Sequence, residues 1–144
     1  MREHNAEAIW KKGLKDGAGV VKTGNGTIES DYSYGTRFGN ERNGTTPEEL
    51  IGAALSGCYS MFLSALLGKE SYTPDYIHTR AKVTLGEKEG APLVERIDLT
   101  VEAKVPKLTN DELQKLAQEA KAKCPISKAL AAIPEVTLQA SLME

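Results

Sequence analysis

With only two histidines and two cysteines among 144 residues, few metal or cofactor sites are open to this chain. His4 and His78 stand far from any metal-ligand spacing, and there is no CxxC, no HExxH and no glycine-rich phosphate loop, so neither metal nor cofactor is expected. Charge of one sign is also missing. Eighteen basic residues face twenty acidic ones, the net charge is −2, and Lys and Arg do not cluster. Nothing therefore draws the chain electrostatically to nucleic acid or to an anionic membrane surface. The first residues, MREHNAEAIWKK, are polar and carry no signal-peptide pattern, so a cytoplasmic protein is expected. In that compartment two cysteines point to thiol chemistry or to plain burial rather than to a permanent staple.

What the sequence does have is one long uncharged run. TPEELIGAALSGCYSMFLSALLGK, Thr46 to Lys69, opens with Thr46 and Glu49 spaced as a capping box and Pro47 at the first helical position. From Leu50 to Gly68 no side chain is charged, and apolar residues point all round the cylinder. Such a helix must be covered on most sides. The run nears the length of a membrane span, but Gly52, Ser56, Gly57, Ser60 and Ser64 dilute it and no basic flank follows, so no membrane partner is expected. Gly68 and Lys69 supply a stop. Cys58 sits in the middle.

The surrounding pattern is α+β. Residues 6–10 and 19–23 read as short strands, and Gly24-Asn25-Gly26 reads as a hairpin turn into a third strand at 27–32. YGTRFGNERNGTT reads as a loop that delivers Arg37 and Phe38 to the central helix. Residues 79–86 and 93–105 form a longer hairpin, its second arm alternating Ile97, Leu99, Val101, Ala103 and Val105 with polar residues. Leu108, Thr109, Glu112 and Leu113 combine a hydrophobic staple with a capping box. The helix they start keeps Leu113, Leu116, Ala117, Ala120 and Cys124 on one face. Pro125 ends it and suits the first position of a short helix over 126–132, which leaves Cys124 at an amino terminus that favours a thiolate. An alternating strand, 136–142, closes the chain. A single domain, 1–144, is expected, with mostly antiparallel strands around a long buried helix. Two small sheets and one amphipathic helix cannot cover that helix alone, so a homodimer is expected.

Two readings of the thiols stay open on residues alone. Cys58 and Cys124 either form a peroxide-reducing pair or are buried hydrophobes. A free thiol with a pKa near ~8.5 is mostly protonated at neutral pH, and the dipole does not help a mid-helix cysteine. Cys58 thus needs a cation, and Arg37 is the nearest candidate along the chain. Glu48 is free to orient it, since Glu49 belongs to the capping box. Glu48 and Cys58 lie ten residues apart, about 15 Å along one helix. If both serve one site, Glu48 reaches the cysteine of another subunit or the helix breaks near Gly52.

The run YGTRFGNERNGTTPEELIGAALSGCYSMFLSALLG, together with KAKCPISKAL, resembles the OsmC branch of the OsmC/Ohr family, and the resemblance extends over essentially the whole chain. It implies an OsmC-like α+β fold in an intertwined homodimer with two active sites at the subunit interface. It implies a thiol-dependent peroxidase that reduces organic hydroperoxides and, less well, hydrogen peroxide. Cys58 is then the peroxidatic residue, Cys124 its disulfide partner, Arg37 the activating arginine and Glu48 the glutamate that pairs with it. Phe38, Met61 and Phe62 are the apolar neighbours available to a substrate tail. The reductant implied is a dithiol, small or carried as lipoyl on a protein. The rival reading is a non-catalytic dimeric binder of an apolar or acyl ligand.

Overall fold

A computed structural model describes residues 1–144. It divides into two compact units, Met1–Leu50 and Ile51–Glu144.

The first unit is a three-stranded antiparallel sheet in the order β1 (Ala6–Lys11), β2 (Ala18–Thr23), β3 (Glu29–Ser33). Between β2 and β3 the chain reverses through Gly26 at φ 71°, a conformation that costs glycine little. Trp10 packs on Tyr32 with ring centroids 5.1 Å apart. Apolar side chains remain uncovered on this unit, Ile9 being 55% and Ile28 56% exposed. The expected loop after β3 is instead a helical turn, α1 (Tyr34–Phe38). Ser33 caps it: its hydroxyl accepts from the Thr36 N–H, and the Thr36 hydroxyl accepts from the Ser33 N–H. Ser-x-x-Thr is a weak relative of the usual capping box, and Gly35 within the turn and Gly39 after it hide so short a helix from periodicity.

The long helix is α2 (Pro47–Lys69), unbroken through Gly52. Its expected capping box forms only in part. Thr46 Oγ1 accepts from the Glu49 N–H at 3.0 Å, whereas the Glu49 carboxylate takes the Thr45 hydroxyl at 2.9 Å. The helix ends at Lys69 as expected, but Ser71 rather than Gly68 adopts the left-handed conformation, at φ 65°, and the Tyr72 N–H returns to the Leu67 carbonyl at 2.9 Å.

In the second unit β4 (Tyr76–Lys88) and β5 (Ala91–Lys104) form one long hairpin, closed by Glu89 and Gly90 at positive φ. The two-residue turn is tighter than the six-residue one expected, because both central residues take the twist that suits a hairpin. β6 (Glu135–Leu142) joins β5 in parallel, so the sheet is mixed rather than wholly antiparallel. The parallel pairing follows from a crossover that carries α3 (Asn110–Lys123) and the short α4 (Pro125–Ala129). Leu55, Tyr59, Leu63, Leu66 and Leu67 of α2 share one core with Ile97, Leu99, Val101 and Ala103 of β5 and with Leu113, Leu116 and Ala120 of α3. Gly52 permits the closest approach of α2 to β4: a Cβ there would stand 3.3 Å from Val83 Cγ2. By length and composition α2 is apolar enough to cross a membrane, yet this stripe is core. The other side of α2 (Ala54, Gly57, Met61, Ser64, Ala65, Gly68) is exposed, Met61 at 77%.

Candidate redox site

Each cysteine is set by its helix. Cys58 follows three turns of α2 that are anchored by Leu55 and Tyr59, and it is partly buried against the core. Cys124 ends α3, its N–H bonded to the Ala120 carbonyl at 3.0 Å, and precedes Pro125 at the first position of α4. Its side chain is fully buried. The two sulfurs meet at 2.9 Å, both as free thiols, across 66 residues of chain.

Their electrostatics differ. Burial pushes the Cys58 thiol above its ordinary pKa, and its hydrogen bond with Cys124 adds to the rise. Burial also opposes ionisation of Cys124. There, however, the contact with Cys58, the Ser127 N–H and hydroxyl and the Ile126 N–H outweigh it, and the net shift is downward. The surroundings therefore favour ionisation of Cys124 over that of Cys58. The Ile126 N–H favours the Cys58 thiolate but is outweighed, so a peroxidatic Cys58 needs a cation as well. The Ser127 hydroxyl was not singled out from the sequence, although its place three residues after Cys124 is the signal that finds it.

The expected cation is held in the first unit. Arg37 Nη2 donates to Glu48 Oε1 at 2.7 Å, and Nε donates at 3.1 Å to Oε1 and 3.3 Å to Oε2. The Arg37 side chain keeps 36% of its surface exposed and that of Glu48 only 9%. Its guanidinium lies 5.1 Å from the ring centroid of Phe38, which in turn packs on Tyr34. A charge gripped this way keeps its direction. Of the three apolar candidates, Phe38 is 41% exposed, Met61 protrudes and Phe62 packs partly on the core. The residues thus gather into two clusters, Arg37, Phe38 and Glu48 in one unit and Cys58 with Cys124 in the other. No group of three His, Cys, Asp or Glu side chains is placed to hold a metal.

Fold and site define an α+β protein with two free thiols in contact beside its core. The family model described as OsmC-like protein matches residues 39–139, and the chain belongs to this family. It is 40% identical over 137 residues to the peroxiredoxin OsmC of Escherichia coli K12, covering 94% of each chain. Among solved structures, an OsmC-like protein of unknown function from Vibrio cholerae superposes with TM-score 0.79 at 21% identity, over 98% of this chain and 100% of that one. An organic hydroperoxide resistance protein from Elizabethkingia anophelis superposes with TM-score 0.76 at 26% identity, over 99% of both.

Proposed function

We propose that this chain is a thiol-dependent peroxidase that reduces organic hydroperoxides, and hydrogen peroxide less well, through Cys58 and Cys124. The observation that carries the reading is the contact of two free thiols at 2.9 Å at the edge of the core. The names of the relatives point to the same chemistry.

The Cys58 thiolate attacks one oxygen of the peroxide, the O–O bond breaks, the alcohol leaves with a proton, and Cys58 becomes a sulfenic acid. Cys124 then attacks that sulfur and expels water, forming the disulfide. A dithiol, small or lipoyl-bound, returns both thiols by exchange and is itself oxidised to a disulfide. Sulfenic acid formation needs Cys58 ionised, and the Arg37 guanidinium is the group that favours the thiolate and the departing oxygen.

Arg37 reaches Cys58 across a subunit interface. Glu48 and Cys58 are separated by about 15 Å along a helix that does not break at Gly52, which supports the intersubunit reading over the intramolecular one. The small, uncharged outer face of α2 suits close packing against a second copy. The family match runs through the division at residue 50, which supports treating the chain as one functional domain. Free thiols suit a reducing cytoplasm. Phe38, Met61 and Phe62 line the alkyl side of the site.

The test is a thiol count before and after one equivalent of cumene hydroperoxide. Two thiols per chain disappear within the mixing time of minutes and dithiothreitol restores both. Thiols that survive unchanged would leave only a binder of an apolar ligand.

A further inference from the structure

Tyr59 is fully buried and directly follows Cys58 in α2. Its hydroxyl donates to the Ala117 carbonyl in α3 at 2.9 Å. Ala117 lies two turns before Cys124 on that helix, about 10 Å along the axis. Burial first, and then the neighbouring Cys124, push the Tyr59 hydroxyl far above its ordinary pKa, so it remains a donor at every working pH. The neighbouring hydroxyl on α2 is tied elsewhere, Ser60 Oγ lying 2.7 Å from Thr79 Oγ1 in β4. The far end of α3 is held by a second tyrosine, Tyr72, whose hydroxyl donates to Glu112 at 2.9 Å.

We infer that Tyr59 is a positioning residue for disulfide closure, its hydroxyl fixing α3 along its axis so that Cys124 stands opposite Cys58. The inference rests on the peroxidase reading above. Apolar contacts from Leu113, Leu116 and Ala120 hold α3 against the core, but they are non-directional and tolerate sliding. A hydrogen bond does not. Without it, the side-chain hydrogen bonds that pin α3 to other elements lie only in its first half, from Tyr72 to Glu112 and from Gln114 to the Ala140 carbonyl of β6, the nearer some 15 Å from Cys124 along the helix, and a tilt of a few degrees moves the sulfur by about 1 Å. Displacements of that size cost intramolecular reactions heavily.

Tyr59→Phe keeps the ring and removes only the donor. One equivalent of cumene hydroperoxide is mixed with the reduced protein, the reaction is quenched with a thiol-alkylating reagent at intervals, and sulfenic acid and disulfide are counted by intact mass. Loss of the Cys58 thiol proceeds at the wild-type rate, closure to the disulfide slows about tenfold, and overoxidised Cys58 accumulates. The equilibrium constant of the disulfide against dithiothreitol falls by a similar factor. Tyr72→Phe removes a comparable bond at the distant end and leaves closure within twofold of wild type. A variant with 4-aminophenylalanine at position 59 retains a donor and recovers closure at least in part.

Closure by Tyr59→Phe at the wild-type rate would overturn the inference. So would an amino variant as slow as the phenylalanine, which would make ring packing the cause. A wild-type chain whose thiols ignore the peroxide would instead overturn the peroxidase reading, and the dithiothreitol equilibrium would still judge Tyr59.

Discussion

Glu48 grips the Arg37 guanidinium through Nε and Nη2, with the carboxylate nearly out of solvent and the arginine still a third exposed. The pair is therefore asymmetric. Arg37→Ala strands a buried carboxylate and costs about 3 kcal/mol of stability. Glu48→Ala leaves a guanidinium that turns to water, at a cost nearer 1 kcal/mol. Urea midpoints order the two. Rates order them the same way: oxidation of Cys58 falls about a hundredfold in Arg37→Ala and less in Glu48→Ala, where the charge remains but its direction is lost.

Cys58→Ser abolishes turnover, because the remaining thiol, Cys124, is fully buried away from peroxide and has no second thiol with which to close a disulfide. Cys124→Ser is oxidised once and then stalls. Intact mass after peroxide shows additions of one and then two oxygens on this variant, against a loss of two hydrogens in the wild type. Steady peroxidase activity in Cys58→Ser with a dithiol would refute the assignment.

The resolving step has its own pH dependence. Burial opposes the Cys124 thiolate, and Cys58, the Ser127 N–H and hydroxyl and the Ile126 N–H overcome it, so Cys124 ionises below its ordinary range. Closure then slows as pH falls through that depressed pKa, at a lower pH than an ordinary thiol would require. Ser127→Ala removes one donor to the thiolate and moves the slowing to higher pH. Rapid-quench closure rates from pH 5 to 9 measure the displacement. An unmoved profile would assign the shift to the backbone alone.

Met61 stands 77% exposed on the outer face of α2 among alanine, glycine and serine. Met61→Lys places a charge on the face proposed to pack against a second copy, and light scattering at micromolar concentration finds the variant shifted toward monomer. Peroxide oxidation of Cys58 falls with it if, as proposed, the partner's Arg37 serves that thiol. A wild-type protein already monomeric under those conditions would remove the basis for this expectation.

Local interactions fix much of this protein before it folds. The capping residues of α3, the alternation of Ile97, Leu99, Val101 and Ala103, and Pro125 at the start of α4 act within a few residues of themselves, so they are legible directly. α1 was not legible, because a five-residue helix that contains Gly35 and ends at Gly39 has no period to read. The parallel pairing of β6 was not legible either, since either direction presents the same alternating face.

Sequence by itself determined the uncharged central helix, the placing of both cysteines on inward faces and, through resemblance, the pairing of Arg37 with Glu48. Only the tertiary structure brought Cys124 to Cys58 across 66 residues and tied α3 to α2 through Tyr59. The physical reason is range. Caps, turns and periodicity are written between neighbours, whereas a meeting of two sulfurs depends on how every intervening element packs.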